Sequence, residues 1–421
     1  VSVLCLIFSI LIHASEVEID ASGSLLQERH RDIEMSVNLI NSLSRPVDVY
    51  WAKSAAEEVL VIPNLPPGGS TTMNTFSNHG FVFAEAGQGP GNLLQSVIMR
   101  AGKQNYEITE ESVKASPYTP NQINGQNECA DKKPHCALSA ERGECEVNPG
   151  WMIVNCPVSC NACELLNPKV RCDRQRLNIS TEPTYQPGDL NSMFESLETK
   201  FPQYDVNVIS TSPWVVTFDN FMNESETNEL IQIMNAENGG PGFVRSTDTG
   251  AYDKNGVAAR VVSQGRTSEN AWCRDNCDNN PLIRGIIEKI EEVVNIPYEN
   301  MEQFQVLRYS PGQYYRTHHD FGASQINLAC GPRILTFFLY LSDVEEGGET
   351  NFPRLDIKVS PKRGRALLWP SVMDDNLVKQ DPRTHHEALP VIKGIKLAAN
   401  AWIHLYNFHV PNHWGCTGAF D

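Results

Sequence analysis

Short runs in which every second residue is apolar dominate the first quarter of the chain. Residues 37–41, 46–51 and 58–62 carry Val, Leu, Ile, Tyr and Trp in the two-residue rhythm of strands with one buried face. Leu65-Pro66-Pro67-Gly68-Gly69 interrupts that rhythm as a turn, and residues 70–84 resume it around a bend at His79-Gly80. The pattern predicts a small all-β unit over residues 36–108. Residues 109–127 are polar and contain two prolines, and residues 164–203 are also polar; both read as linkers. Beyond them Trp214–Phe218 reads as a strand and a helix is expected from about Ser225, with Leu230, Ile233 and Met234 on one face. Asn280-Pro281 opens a second helix, in which Leu282, Ile286, Ile290 and Val293 recur at helical spacing. From Phe304 onward strands prevail, at 305–309, 333–341, 366–369 and 399–405, separated by glycine-containing turns. The whole reads as a mainly β chain with flanking helices.

Composition narrows this picture. A length of 421 residues predicts two or three domains, and a formal charge of −17 argues against a nucleic-acid partner. Residues 1–12 form an apolar run ending in His13-Ala14-Ser15, too short to span a membrane and matching the hydrophobic region of a secretory signal peptide over 1–15. It lacks an initiator Met and a basic flank, and no later run reaches spanning length, so no membrane span is expected. Of twelve cysteines, six crowd into residues 129–163, which predicts a disulfide-rich middle module and an oxidising compartment. Six cysteines admit fifteen pairings and their spacing selects none. Cys273 and Cys277 are placed for a local bridge, while Cys172, Cys330 and Cys416 form an odd set once Cys5 leaves with the signal. Asn178 and Asn223 head glycosylation sequons, although Asn223 reads equally as a helix cap. The expected location is the endoplasmic reticulum lumen or the exterior.

The chemistry concentrates in Tyr315-Arg316-Thr317-His318-His319-Asp320. In extended backbone His318 and Asp320 point to one side and His319 to the other. One distant histidine, from His385-His386, would complete a two-His, one-carboxylate set with open positions, as in non-haem Fe(II) oxygenases. Zinc takes similar ligands, so the motif alone leaves the metal open.

The surrounding motifs are more specific. Gln305-Val306-Leu307-Arg308-Tyr309, Tyr315-x-x-His318-x-Asp320, Leu339-Tyr340-Leu341, Glu346-Gly347-Gly348-Glu349-Thr350, His386-Glu387-Ala388-Leu389-Pro390 and Trp402-Ile403-His404 occur in order. Through them residues 205–412 resemble the prolyl 4-hydroxylases. That resemblance implies a double-stranded β-helix (jelly roll) and the cofactors Fe(II), 2-oxoglutarate, O2 and L-ascorbate. It also implies 4-hydroxylation of proline in proline-rich or collagen-like peptides, with 2-oxoglutarate converted to succinate and CO2. The family's iron ligands fall on His318, Asp320 and His386, the last being four residues before Pro390 and ten before Lys396. Lys396 takes the position of the cation for the far carboxylate of 2-oxoglutarate, and Tyr309 that of a tyrosine bonding the same carboxylate. Tyr315, Arg333, Trp402 and His404 match positions lining the peptide site, and residues 243–266 match a lid. Other readings stand beside this one: a lysyl or other peptidyl hydroxylase, a zinc enzyme, or a non-catalytic hydroxyproline-binding protein.

Two further resemblances cover the remainder. Residues 128–163, through Glu128-Cys129-Ala130-Asp131, Gly143-Glu144-Cys145 and Cys156-Pro157-Val158-Ser159-Cys160, resemble a ShK toxin-like module. Its pairing implies Cys129–Cys163, Cys136–Cys156 and Cys145–Cys160. Residues 36–108, through Asn41-x-x-x-Arg45-Pro46, Leu65-Pro66-Pro67-Gly68 and His79-Gly80-Phe81-Val82-Phe83, resemble the β domain of the von Hippel–Lindau tumour suppressor. That domain's hydroxyproline-reading positions fall on Trp51, Thr75, His79 and Phe81, with Ile62 in place of a cage tyrosine. Core packing of Trp51 and Phe81 is the competing account.

Overall fold

The strand Glu34–Asn41 runs between Ser70–Phe76 and Asn105–Ile108 in a three-stranded sheet. A second sheet has the order Glu57–Leu65, Val47–Ser54, Gly80–Glu85, Leu93–Ile98. Their facing sides close over Val37, Leu39, Val47, Val49, Phe81, Phe83, Tyr106 and Ile108, all nearly inaccessible. Every second residue points inward, which is why the alternation was readable. The computed structural model describes residues 33–418 apart from 55–56, 91, 115–128, 134, 236–239, 253–257, 263 and 275, so the expected signal lies outside the described residues. The chain divides into two units, residues 1–122 and 123–421. In the first, Asn41 explains why two distant motifs occur together. Its buried amide donates to the carbonyls of Arg45 at 2.9 Å, Leu65 at 2.9 Å and Pro66 at 3.2 Å, and its Oδ1 accepts from Leu43 N–H at 3.0 Å. One side chain thus ties the turn after the first strand to the Pro-Pro-Gly turn.

The second unit begins with the six-cysteine module. Cys129 is bonded to Cys163, Cys136 to Cys156 and Cys145 to Cys160, the implied pattern, around the short helices Cys136–Glu141, Glu144–Val147 and Pro149–Asn155. So small a segment has little core, and its cross-links restrict the unfolded chain instead. The stretch 164–203 is not the linker expected. It holds the helices Pro168–Arg171 and Asp189–Lys200, and Leu190, Met193, Phe194 and Leu197 of the latter are buried at helical spacing. Polar residues on the outer face masked that stripe. Of the unassigned cysteines, Cys172 is bonded to Cys416 and Cys273 to Cys277, leaving Cys330 as a buried thiol.

Two antiparallel sheets, with three two-stranded ribbons beside them, form the β structure of the rest. The larger has the order Val244–Arg245, Glu269–Trp272, Gln305–Tyr309, Lys396–His404, Arg333–Tyr340, Ala366–Pro370, Trp214–Phe218, Val206–Thr211. The smaller has the order Tyr315–His318, His386–Ala388, Thr350–Phe352, Ile357–Val359. On the large sheet Phe337, Leu339, Ala399, Ala401 and Ile403 pack with the helices Asp189–Lys200, Glu224–Met234 and Pro281–Val294. Phe338, Tyr340, Leu367 and Trp369 alternate with them and pack against Phe352 and Val359 of the small sheet. Both faces are covered, so these strands read as nearly continuous apolar runs. This is the jelly-roll arrangement. Truncating a residue such as Phe337, wholly buried, is expected to cost about 3–5 kcal/mol. Asn223 and Glu226 make a reciprocal capping box at the first helix turn of Glu224–Met234. In Pro281–Val294 the buried stripe is Ile283, Ile286, Ile287, Ile290, Val293 and Val294, whereas Leu282, expected on it, is exposed.

Candidate active site

Between the two sheets lies a cavity of about 490 Å³. The strand Lys396–His404 supplies one wall. Its residues Lys396, Asn400, Trp402 and His404 point into the cavity at the two-residue spacing of a strand. Opposite, the register pairs His318 directly with His386. The ligand atoms of His318, Asp320 and His386 all lie within 4.8 Å of one another. His386 Nε2 is 3.6 Å and His318 Nε2 3.9 Å from the Asp320 carboxylate.

Both imidazoles are oriented from behind. His318 Nδ1 donates to the carbonyl of Arg316 at 2.9 Å and His386 Nδ1 to that of Thr384 at 3.1 Å, which turns each Nε2 lone pair inward. The Tyr315 ring stacks on His318 at 3.6 Å, and the Arg266 guanidinium covers Tyr315 at 4.8 Å. The Thr336 hydroxyl donates to Asp320 at 2.6 Å. Burial pushes His318 down to about 3, helped by the neighbouring His386. Burial alone would raise Asp320, but His386, His318, Arg333 and the Thr336 hydrogen bond outweigh it and hold the carboxyl at about 2. At neutral pH the site therefore presents a neutral imidazole at His318 and a carboxylate at Asp320, the protonation states a cation requires. The two rejected histidines stand elsewhere. His319 Nε2 donates to the carbonyl of Asp381 at 2.9 Å, and His385 Nδ1 to that of Pro382 at 2.7 Å.

At one end of the cavity sits Lys396, wholly buried, its Nζ without a hydrogen-bond partner among the described residues. The faces of Tyr309, Phe338 and Tyr340 surround that nitrogen at 5.3–5.6 Å. Burial lowers it to about 7, with Glu349 opposing. An enclosed ammonium lacking an acceptor fits an anionic group that enters the cavity. At the other end Glu302 accepts from Arg333 Nε at 2.6 Å and from His404 Nε2 at 2.8 Å, while His404 Nδ1 donates to the carbonyl of Gly331 at 2.9 Å. Arg333 lies 3.7 Å over the Trp402 ring. Burial would raise Glu302, but Arg333 and His404 hold it at about 2. Burial would lower His404, but Cys330 and Glu302 lift it to about 9. Both imidazole nitrogens face acceptors, as a protonated ring requires.

Glu302, Arg266 and Thr336 escaped the sequence reading. Arg266, nearly buried, donates to Gln305 at 2.8 Å and to the carbonyl of Thr247 at 3.3 Å. Thr336 carried a signal, being a hydroxyl inside an apolar run; Glu302 and Arg266 precede their strands and carried none. The expected lid contains the paired strands Asp248–Tyr252 and Ala258–Val261, and Asp248 and Arg260 line the cavity.

Residues 304–404 match the 2OG-Fe(II) oxygenase superfamily, and residues 128–163 the ShK domain-like family. The fold and site thus define a 2-oxoglutarate- and Fe(II)-dependent oxygenase, which uses O2. Prolyl 4-hydroxylase 2 of Arabidopsis thaliana is 34% identical over 236 residues, covering 50% of this chain and 75% of that protein. A putative prolyl 4-hydroxylase of Acanthamoeba polyphaga mimivirus is 32% identical over 222 residues, covering 51% and 83%. Among solved structures, a viral collagen prolyl hydroxylase from Paramecium bursaria Chlorella virus-1, in its 2OG complex, is 31% identical with a TM-score of 0.35, covering 47% of this chain and 98% of that one. The chain belongs to the prolyl 4-hydroxylases and is a proline 4-dioxygenase. That membership removes the non-catalytic alternative.

Proposed function

We propose that the chain 4-hydroxylates peptidyl proline in proteins of the secretory pathway, with His318, Asp320 and His386 holding the iron. Lys396 and the Tyr309 hydroxyl take the far carboxylate of 2-oxoglutarate, and L-ascorbate serves as the reductant that keeps the metal Fe(II). The observation that carries this is one cavity containing both a metal-ready triad and a buried ammonium with no hydrogen-bond partner among the described residues. With 2-oxoglutarate and O2, the iron supplies the oxidising power that replaces the C4–H bond by C4–OH while the cosubstrate becomes succinate and CO2. The chain's own residues bind, orient and exclude water. Tyr315 and Arg266 fix the His318 ring, Thr336 fixes Asp320, and Arg333, Trp402 and His404 receive the peptide. Proline-rich or collagen-like peptides are the substrate class. Turnover of 2-oxoglutarate with iron, ascorbate and such peptides tests the reading; succinate formation that does not respond to peptide would defeat it.

The secretory location rests on the disulfide-bonded module and on Asn178, which is exposed in a turn at φ 53°. Among the described residues no helix is long and apolar enough to cross a membrane. A second activity is proposed for the first unit, resembling the von Hippel–Lindau β domain. Thr75 Oγ1 and His79 Nδ1 share a hydrogen bond of 3.0 Å, and the Trp51 and His79 rings lie 5.2 Å apart. Phe81 is 1% exposed and belongs to the core, so it supplies no wall. Phe76 is 40% exposed, lies 5.4 Å from His79 and takes that place. The site reads hydroxyproline.

A further inference from the structure

The cavity does not end with the sheet. Past His404 its lining continues through Phe408 to Asn412, Thr417 and Gly418, beyond the residues 304–404 that match the superfamily. This segment is held from outside the catalytic strands. Cys416 is bonded to Cys172, 244 residues earlier in the chain. The buried Arg171 reaches the carbonyls of Leu165 at 2.9 Å and Gly415 at 3.5 Å. His413 Nε2 donates to the carbonyl of Glu146, in the six-cysteine module, at 3.3 Å. Inside the segment the Thr417 hydroxyl donates to Asn412 Oδ1 at 2.8 Å, which fixes the amide end that remains to donate.

A second observation points to what this end of the cavity receives. Trp402 is 6% exposed, and its Nε1–H has no acceptor among the described residues. A buried donor without a partner calls for an acceptor from the ligand. Proline has no backbone N–H, so a proline-rich peptide offers carbonyl acceptors and few donors. The donors on this wall match that chemistry. We propose that residues 412–418 form a distal lip of the peptide groove, where the Asn412 amide donates to a carbonyl of an extended proline-rich peptide. The Cys172–Cys416 bond and the six-cysteine module are positioning elements that hold the lip in register with the iron site. This rests on the reading that the cavity takes peptide.

Length is the discriminating variable. Because the Lys396 end takes 2-oxoglutarate, the peptide's share of the strand runs from Asn400 to His404, roughly 13 Å at about 3.3 Å per residue. An extended polyproline chain advances about 3.1 Å per residue, so about four residues cover that span and a longer peptide meets the lip. The experiment compares the full-length chain with Asn412→Ala, Thr417→Val and the pair Cys172→Ser, Cys416→Ser on proline-rich peptides of about four and about twelve residues. The ratio of long- to short-peptide kcat/KM is expected to fall roughly five- to ten-fold in each, through KM for the long peptide, with KM for 2-oxoglutarate unmoved. The cysteine pair could unfold the protein, so the Asn412 variant decides. A ratio unchanged in Asn412→Ala overturns the lip, as does an equal rise in KM for both lengths. Arg333→Ala separates the two levels. If it raises peptide KM while Asn412→Ala does not, the cavity still takes peptide and only the lip falls. If neither variant moves peptide KM, the peptide reading of the cavity falls with it.

Discussion

Two adjacent histidines, His385 and His386, differ in backbone direction rather than chemistry, and the difference decides which one faces the cavity beside His318 and Asp320. His386 starts a strand paired with His318 and turns into the cavity, while His385 bonds backward to Pro382. His386→Ala is expected to abolish turnover and iron retention, measured by equilibrium dialysis, with His385→Ala keeping much of both; the reverse result would mean the ligand set is wrong. Lys396 makes a pH prediction. Its folded value is about 7 against 10.5, so between these the unfolded state binds more protons. Through this group stability rises with pH across that window, and below it folding carries the cost of a buried charge. A bound carboxylate favours the ammonium, so binding of 2-oxoglutarate above pH 7 takes up close to one proton. Affinity then weakens with rising pH, by up to about tenfold per unit. Anaerobic calorimetry in buffers of different ionisation heat reads that uptake, which Lys396→Met removes together with most of the affinity. Pairing at Glu302 has a two-sided signature. His404's contribution is complete below its ordinary 6.5 and is lost as pH rises through about 9. Glu302's is complete above 4.5 and is lost as pH falls toward about 2. The cluster is strongest between those ordinary values. Glu302→Ala takes away the acceptor shared by the part-exposed Arg333 and the buried His404, a loss of about 1–3 kcal/mol, and lowers the His404 titration seen by NMR.

At the level of elements, legibility followed how local the cause was. The strand Gln305–Tyr309 and the helix Pro281–Val294 were readable because burial of one face writes its period into adjacent residues. The helix Asp189–Lys200 was passed over because its four buried residues sit in a polar sequence and gain their meaning from a sheet assembled later in the chain. Likewise Cys172 and Cys416, 244 residues apart, carry no local mark of their bond. The paired strands Asp248–Tyr252 and Ala258–Val261 were read as polar loop because their sequence shows no apolar alternation. The triad was legible in its His318-x-Asp320 half, whereas Glu302 became recognisable only when the fold set it against Arg333 and His404. Turns obey the same logic. Asn41 looked like one motif residue among several, yet it joins two turns through four hydrogen bonds while wholly buried. Asn41→Ala strands those groups, each worth about 1 kcal/mol or more, and is expected to destabilise the first unit by roughly 3 kcal/mol. Denaturant unfolding of the full chain, followed by hydrogen exchange at first-unit amides such as Val49 and Phe83, should show its midpoint fall; an unmoved midpoint would mean solvent replaces the lost bonds.

For the molecule as a whole, the proposed reader in the first unit raises the question of what a chain that writes 4-hydroxyproline would gain from reading it. A repeat substrate offers many prolines, and each hydroxylated one leaves the catalytic cavity as product. If Trp51 and Phe76 flank that product ring, Thr75 and His79 supply polar partners for its 4-hydroxyl. An unmodified ring offers the Thr75–His79 pair no hydroxyl, so the preference for hydroxyproline is one added hydrogen bond, about 0.5–1.5 kcal/mol. Tethering then raises the effective concentration of the same strand's remaining prolines at the iron site. The expected behaviour is processive: long repeats acquire several hydroxyls before release, and the gain disappears for peptides with a single proline. Mass spectrometry at low conversion reads this directly, as multiply hydroxylated product appearing beside unmodified substrate. His79→Ala should convert that distribution to random single hydroxylation while leaving kcat on a single-proline peptide as it was. Calorimetry on the full chain should show the 4-hydroxyproline repeat binding more tightly than its proline counterpart, by a margin that His79→Ala removes. If the variant and the parent give the same product distribution and the same two affinities, the first unit is a structural module and the proposed reader is wrong.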